Sequence, residues 1–216
     1  MMKIITKSLY FLFLSLFVNN LYSQDTKWKE FFKNDDLSEF IILNGNATFQ
    51  IENKILIGTS KLNTPNTFLA TKKIFSDFIL EFEVKIDDGL NSGVQFRSNS
   101  YKDYYNGRVH GYQCEIESSK RRWAGGIYDE ARRQWLYPLT RNQKSQNSFK
   151  NGKWNHFRIE AYGNKIKTYV NGIQTANLVD EMTSSGFIAF QIHSINNKKD
   201  NGKKVMWKNI KIIDTN

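Results

Sequence analysis

The sequence predicts an all-β fold, a jelly-roll β-sandwich built from two antiparallel sheets. Short segments of alternating apolar and polar residues recur from position 47 to the C-terminal end, and turn residues separate them. No segment shows the apolar periodicity of a helix longer than two turns. Many short antiparallel strands in one domain are typical of a sandwich or a jelly roll.

The strand predictions follow the chain in order. They are residues 48–51, 55–57, 68–71, 77–86, 94–97, 112–117, 123–128, 154–162, 165–170, 173–177, 186–193 and 205–213. Residues 28–40 before them are expected to be an irregular or helical segment with a turn at Asp35-Asp36-Leu37. Gly163-Asn164 and Asn171-Gly172 predict two-residue hairpin loops of type I′, whose twist matches the adjoining strands.

One stretch lacks any strand or helix periodicity, residues 129–152. A structureless segment of this length inside a compact domain is usually functional or disordered. Because this one contains Trp135, Leu136, Tyr137 and Pro138, we expect an ordered loop, which would lie above the polar groove that the strand pattern described below predicts.

Length and composition indicate a single domain over residues 24–216. The 216 residues are 40% hydrophobic and 14% aromatic, which is enough apolar surface for a large core. The one cysteine, Cys114, excludes an intramolecular disulfide and lies on the apolar phase of its strand, where it should pack as a small hydrophobe.

The first residues have the pattern of a cleavable signal peptide over 1–23. Lys3 and Lys7 precede an apolar run from Leu9 to Val18, and Ser23 provides a small residue at the cleavage site. The run is too short to span a bilayer. The pattern therefore predicts a secreted or periplasmic protein without membrane insertion.

The formal net charge of +10 does not indicate a nucleic-acid partner. The lysines are scattered through loops, whereas a nucleic-acid groove combines basic and aromatic residues on one platform.

Three predicted strands carry ligand-type side chains on their polar phase, which predicts a groove on one sheet face. A solvated face would instead carry mostly Thr, Lys and Ser. The polar-phase residues are Gln95 and Arg97 on the first strand, Gln113, Glu115 and Glu117 on the second, and Gln191 and His193 on the third.

The order and spacing of short motifs resemble the 3-keto-disaccharide hydrolase domain family across residues 28–213. The matching motifs are Asp77-Phe78-Ile79-Leu80, Asn91-Ser92-Gly93-Val94, Gly111-Tyr112-Gln113, Gly126-Ile127-Tyr128, Val170-Asn171-Gly172, Gln191-Ile192-His193 and Trp207-Lys208-Asn209-Ile210. The resemblance implies a concanavalin A-like lectin/glucanase fold with a groove on its concave face. One difference is that the family commonly has Glu before Gln on the strand where this chain has Gln113 and then Glu115.

The resemblance also implies a glycoside whose sugar carries a ketone at C3. A C3 ketone acidifies the C2 proton, so a base near C2 starts elimination of the aglycone. Glu115 or His193 is then the expected base, Arg97 the group that stabilises the enolate, and Asp129 or Glu117 the acid for the leaving oxygen. A divalent metal ion could take the place of Arg97.

Two alternatives remain open at this stage. Ordinary glycoside hydrolysis would use Glu115 and Glu117, which lie about 6.5 Å apart along one strand. However, the third acid of glucanases of this fold falls at Lys120. A non-catalytic lectin would stack sugars on aromatic residues and bind their hydroxyls. The expected substrate-binding residues are Gln95, Gln113, Gln191, Tyr128, Trp135 and Arg132, with Trp123 and Tyr137 as further stacking candidates.

Overall fold

The computed structural model describes residues 27–32 and 36–215. The predicted signal segment, residues 1–23, and Asp35 of the predicted turn lie outside the described residues. Fifteen strands and two short 3₁₀ segments form within the described part. The strands are β1 (Lys29–Glu30), β2 (Phe40–Asn44), β3 (Thr48–Glu52), β4 (Ile55–Thr59), β5 (Thr67–Thr71), β6 (Phe78–Ile86), β7 (Asn91–Asn99), β8 (His110–Glu117), β9 (Ile127–Glu130), β10 (Gln134–Tyr137), β11 (Asn155–Tyr162), β12 (Lys165–Val170), β13 (Ile173–Val179), β14 (Phe187–Ile192) and β15 (Lys204–Asp214). The 3₁₀ segments are Leu139–Ser145 and Lys198–Asp200.

The strands form two antiparallel sheets, which confirms the predicted sandwich class. The eight-stranded sheet has the order β13-β12-β11-β6-β15-β4-β3, with β1 added beside β15. The seven-stranded sheet has the order β10-β9-β8-β7-β14-β5-β2. No helix among the described residues has the length and apolar character needed to cross a membrane.

The main core lies between the sheets because alternate residues of their central strands point inward. Phe82 of β6 stacks on Phe157 of β11 with ring centroids 5.3 Å apart. From the other sheet, Phe96 stacks on Tyr112 at 5.6 Å. Cys114 is buried in the same core, and its burial raises the pKa of the thiol, as expected for a packing residue.

A smaller apolar cluster covers part of the outer face of the seven-stranded sheet. Val109 packs here with Phe68 and Ala70 of β5 and with Phe187 and Ala189 of β14. Val109 ends the connection between β7 and β8, so this connection covers the outer face of β14 and β5. The outer face of β7, β8 and β9 is left for a cavity.

The two predicted hairpin loops are present, but they differ in turn type. Asn171 and Gly172 both have positive φ, 50° and 80°, as type I′ requires. In the other loop only Gly163, with φ 52°, is in the positive region, which is the pattern of type II′. The two-residue length was therefore predicted correctly for both loops, whereas the type I′ prediction was correct only for Asn171-Gly172 and wrong for Gly163-Asn164.

The expectation of a loop over residues 129–152 is only partly correct. β9 continues to Glu130, and β10 (Gln134–Tyr137) pairs with it as a hairpin. The sequence did not predict β10 because this strand has only four residues and its register shifts between Trp135 and Tyr137. The remainder of the segment does not cover the groove, since the 3₁₀ segment Leu139–Ser145 packs beside β13 of the other sheet.

Candidate functional site

A polar cavity of about 760 Å³ lies on the outer face of the seven-stranded sheet. Its volume falls within the range of small-molecule sites. The strands supply its floor, and the β7–β8 connection supplies Tyr105 and Arg108 at its rim. Its lining residues are Asn44, Pro65, Asn66, Phe68, Asn91, Tyr105, Arg108, Gln113, Glu115, Arg121, Tyr128, Glu130, Trp135, His193 and Ser194.

Glu115 is the buried carboxylate at the floor of this cavity, with only 3% of its surface exposed. Oε1 accepts hydrogen bonds from Nδ2 of Asn91 at 2.6 Å and from Nη2 of Arg121 at 3.1 Å. Oε2 accepts one from Nε2 of Gln113 at 3.0 Å. The carboxylate is thus fixed from three sides.

The position opposite Glu115 on β7 is Gly93, and the site requires a glycine there. A Cβ atom on Gly93 would lie 2.4 Å from Cδ of Gln113. The missing side chain therefore leaves the space in which Gln113 lies against Glu115.

The pKa of the Glu115 carboxyl is raised to about 7, mainly by burial, and the charge of Glu117 acts in the same direction. The hydrogen bond from Asn91, the charge of Arg121 and the hydrogen bond from Gln113 oppose the rise. A carboxyl group with this pKa can accept a proton near neutral pH, which is what a general base requires.

A chain of hydrogen-bonded, buried side chains leads from the neighbouring strand β7 to Glu115. Oγ of Ser98 donates to Oε1 of Gln95 at 2.8 Å, and Nε2 of Gln95 donates to Oε1 of Gln113 at 2.7 Å. Because Nε2 of Gln113 then donates to Glu115, every donor in the chain points toward the carboxylate. Gln95, which was predicted to bind substrate, is fully buried and does not line the cavity.

Arg121, which the strand pattern did not predict, is the cation next to Glu115. Its guanidinium lies 4.7 Å from the ring centre of Trp135 and 4.8 Å from that of Trp123. It also pairs with Glu115 at 3.1 Å and with Glu117 at 2.8 Å. Its role could not be predicted from the sequence because it lies in the irregular segment between β8 and β9, where side-chain alternation does not indicate which way a residue faces.

Glu130, also missed, is a second buried carboxylate of the same cavity. Burial raises its pKa, while the charge of Arg108 and a hydrogen bond from Asn66 act against the rise. Burial and then the charges of Glu130 and Glu115 raise the pKa of the Tyr128 phenol. All three residues line the same cavity. The period-two alternation from Tyr128 to Glu130 could have found Glu130, because both lie on the same face of β9.

His193 lines the cavity, as its strand phase predicted. Its Nδ1 lies 2.8 Å from the carbonyl oxygen of Ser194, which can only accept, so Nδ1 donates. In the neutral ring this leaves Nε2 as the atom that accepts a proton. Gln191 of β14, also predicted to bind substrate, is fully buried and does not line the cavity, and neither polar atom of its amide has a hydrogen-bond partner among the described residues.

The structure places Arg97 away from the cavity, contrary to the sequence prediction. Two residues of β7, Arg97 and Ser98, stand opposite the single residue Gly111 of β8, and Arg97 has φ 47°. This β-bulge reverses the side-chain phase, so the guanidinium points to the eight-stranded sheet. There it donates to the carbonyls of Ser76 and Gly163 at 2.7 and 2.6 Å and to Asp77 at 2.8 Å.

Asp129 and Arg132 also lie outside the cavity lining. Asp129 follows the inward phase of β9 and is completely buried. Arg132 Nε and Arg133 Nε donate to its two carboxylate oxygens at 2.7 and 2.6 Å. Asp129 and Arg132 are therefore engaged with each other at the edge of the sandwich rather than available to a ligand in the cavity.

Glu117 is not in the cavity lining either, although it shares the strand face of Glu115. It accepts hydrogen bonds from Oγ of Ser119 at 2.8 Å, from Nη2 of Arg121 at 2.8 Å and from the backbone N–H of Trp123 at 2.6 Å. These donors hold the loop after β8 against the strand. The second carboxylate of the cavity is thus Glu130 instead of Glu117.

The described residues contain no group of three or more His, Cys, Asp and Glu side chains placed to hold a metal ion. Within the cavity, metal-ligating side chains are Glu115, Glu130 and His193. The first two come from neighbouring strands and the third from the chain after β14.

Comparison with known proteins gave a family match and several similar folds. Residues 27–213 match a family described as 3-keto-alpha-glucoside-1,2-lyase-like domains. No protein with a curated description matched the chain.

Three solved structures illustrate the fold similarity. A candidate glycosyl hydrolase from Parabacteroides distasonis is 16% identical, with a TM-score of 0.63 over 88% of this chain and 94% of its own. A protein of galectin-like fold from Bacillus subtilis is 9% identical, with a TM-score of 0.61 over 84% and 91%. The carbohydrate-binding module CBM66 from Bacillus subtilis is 16% identical, with a TM-score of 0.55 over 78% and 92%. At these identities the similarity is one of fold, a two-sheet jelly-roll sandwich.

Proposed function

Because the chain belongs to the family of 3-keto-alpha-glucoside-1,2-lyase-like domains, we propose that it cleaves glycosides whose sugar ring carries a ketone at C3. The observation that carries this proposal is Glu115, a buried carboxyl with a pKa near 7 at the floor of a polar cavity. A proton next to a ketone is acidic enough for such a base, whereas an ordinary glycoside has no comparably acidic C–H bond.

The reaction begins when Glu115 takes the proton from C2. The electron pair of the C–H bond forms an enolate with the C3 carbonyl. As the carbonyl re-forms, a C1=C2 double bond appears and the bond from C1 to the aglycone oxygen breaks with its electron pair. The leaving oxygen then takes up a proton. Addition of water across C1=C2 completes a net hydrolysis, and release before this addition makes the protein a lyase.

Three further cavity residues are assigned to the other steps of this reaction: stabilisation of the enolate, protonation of the leaving oxygen and orientation of the substrate. The guanidinium of Arg121, held on two indole rings, stabilises the negative charge of the enolate in place of the predicted Arg97. Glu130, whose pKa burial raises, is the acid for the leaving oxygen. His193 offers Nε2 as a hydrogen-bond acceptor that orients the substrate.

The cavity residues do not fit a divalent metal ion, because no three His, Cys, Asp or Glu side chains among the described residues are placed to hold one. Proton removal at C2 and protonation of the leaving oxygen are therefore assigned to the chain's own residues.

The direct test uses matched disaccharides with and without the C3 ketone, incubated with the purified protein in the presence of a chelator or of added divalent metal. We expect aglycone release only from the ketosugar. Run in deuterated water with short reaction times, elimination followed by hydration places deuterium at C2 of the released ketosugar, which enzyme-free controls must not show. If the protein binds the ketosugar but releases no aglycone with any divalent metal supplied, the enzymatic proposal is wrong.

Two other functions make different predictions in the same experiment. Conventional hydrolysis by Glu115 and Glu130 would also cleave the unoxidised disaccharide and leave C2 free of deuterium. A lectin is favoured by one observation, the edge-to-face pair of Tyr128 and Trp135 at 5.1 Å, which offers an aromatic surface to a sugar ring. It would bind sugars without any turnover.

We further propose that residues 1–23 are an export signal and that the mature protein is secreted or periplasmic. N-terminal sequencing of the protein recovered from its native compartment tests this. A mature chain that retains Lys3 would contradict it.

A further inference from the structure

A second cleft, of about 710 Å³, lies beside the cavity on the far side of Glu117. We call it the basic cleft, and its lining residues are Glu117, Ser118, Ser119, Lys120, Arg122, Gln146, Asn147, Phe149, Lys150, Asn151 and Lys153. The ion pair of Arg121, which lines the cavity, with Glu117, which lines the cleft, forms the wall between them.

Four cations line the basic cleft, and none is neutralised by a neighbouring carboxylate. They are Lys120, Arg122, Lys150 and Lys153. Among residues 27–32 and 36–215, none of the four lies within 4.0 Å of an Asp or Glu oxygen. Cations gathered in a concave site produce a stronger positive potential than the same charges dispersed on a convex surface.

The one carboxylate of the cleft does not cancel this potential. Glu117 is 3% exposed and is paired with Arg121 at 2.8 Å, with further hydrogen bonds from Ser119 and from the backbone of Trp123. Its charge is thus already compensated on the side that faces the cavity.

Hydrogen bonds between its two loops hold the cleft open. Nη1 of Arg122 donates to Oδ1 of Asn147 in the other loop at 2.7 Å. Within loop 146–153, Nζ of Lys150 donates to the carbonyl of Asn147 at 2.8 Å. Nδ2 of Asn151 donates to the carbonyl of Ser118 at 2.8 Å. Loop 118–122 and loop 146–153 are therefore joined before any ligand arrives, which lowers the entropic cost of binding.

The side chains of the cleft combine the groups that recognise a charged sugar. Cations bind carboxylate or sulfate oxygens, and the amides of Gln146 and Asn147 bind hydroxyls. Phe149, which packs edge-to-face on Phe157 at 6.1 Å, gives the cleft one apolar ring against which a sugar face can lie.

We propose that the basic cleft binds the carboxylate or sulfate groups of an acidic oligosaccharide, next to the cavity that holds the reacting sugar. The choice of a glycan over other polyanions rests on the proposed function, because the cleft shares a wall with the cavity. That the ligand is an anion is inferred only from the four cations that line the cleft.

The test is calorimetric binding to oligosaccharides of equal length: dextran sulfate, unsulfated dextran and oligogalacturonate, with inorganic sulfate and a single-stranded oligothymidylate of matched charge as further ligands. We expect dextran sulfate or oligogalacturonate to bind more tightly than unsulfated dextran and than the oligothymidylate. This affinity should fall as sodium chloride rises from about 50 to about 500 mM, because salt screens exposed charges.

The variant Lys150→Glu/Lys153→Glu should weaken binding of the acidic sugar about tenfold or more, because each reversal replaces an attraction by a repulsion. The matched control is Lys198→Glu/Lys199→Glu, which makes the same charge change at two exposed positions outside the cleft and should leave the affinity unchanged. Equal weakening in both variants would mean that net charge alone is responsible, which overturns the proposal. Equal or tighter binding of the oligothymidylate would overturn the assignment to a glycan.

The same variant should cleave a neutral 3-keto disaccharide at the wild-type rate, since it changes no cavity residue. Failure of the proposed function would appear as absent turnover in the wild type and would leave these binding results as they are. The two proposals therefore fail independently.

Discussion

Nη2 of Arg121 lies 3.1 Å from Oε1 of Glu115, so the cation and the buried carboxylate of the cavity are in direct contact. The same guanidinium rests against Trp123 and Trp135 and bonds Glu117 on its other side. A positive charge held in this way stays in position when Glu115 gains or loses a proton.

Glu115→Gln should lower kcat on a 3-keto disaccharide by about 10²- to 10⁴-fold, because the amide keeps the shape of the side chain but cannot accept a proton. Binding of the ketosugar should change little. The measurement is aglycone release together with calorimetric affinity, and Glu117→Gln is the matched control on the same strand. Equal losses in both variants would show that the effect is structural.

The pH dependence of kcat/KM should follow the ionisation of Glu115. With a pKa raised to about 7, mainly by burial, the basic form dominates above that pH. The rate should therefore rise about tenfold per pH unit below the pKa and level off above it. A profile that is flat between pH 5 and 8 would exclude Glu115 as the base.

Glu115 should also make folding stability depend on pH. Its pKa rises from the ordinary value of 4.5 to about 7 in the folded state, so the folded protein holds more protons within that window. The stabilising contribution is fully present below pH 4.5 and is lost as pH rises through 7. Relative to Glu115→Gln, the free energy of unfolding of the wild type should fall by roughly 3 kcal/mol across this window. Urea denaturation at several pH values measures it, and a constant difference between the two proteins would contradict it.

Glu130→Gln should distinguish substrates by their leaving group. A disaccharide needs a proton on its leaving oxygen, so its cleavage should fall about 10²- to 10⁴-fold. A nitrophenyl 3-keto glycoside, whose phenolate leaves unassisted, should lose less than about tenfold. Comparison of kcat/KM for the two substrates tests this role. Equal losses for both would remove Glu130 as the acid.

Arg97→Met should lower stability rather than catalysis. The side chain is 1% exposed, and its removal leaves Asp77 without its ion pair and two carbonyls without their donor. The loss should be about 3 kcal/mol in the free energy of unfolding, measured by urea denaturation. The partly exposed pair Lys208–Glu83, at 3.5 Å, provides a control, since Lys208→Met should cost less than about 1 kcal/mol. A folded Arg97→Met protein with wild-type stability and lost turnover would restore the catalytic role that the strand pattern predicted.

The sequence alone determined the features that depend on neighbours close along the chain. Side-chain alternation with period two placed Gln113, Glu115 and His193 on one face, because successive residues of a strand must point to opposite sides. Asn171-Gly172 likewise predicted its hairpin, since only certain residues accept two consecutive positive φ angles.

Only the tertiary structure decided which polar residues face the cavity. One extra residue in β7 reversed the phase at Arg97, and a bulge depends on pairing with β8 and β14, which no local pattern contains. Arg121 and Glu130 reach Glu115 and Tyr128 from segments outside the predicted strands. Arg121 lies in the loop between β8 and β9, where its position follows from loop packing, and Glu130 is in register with Gly111 of β8.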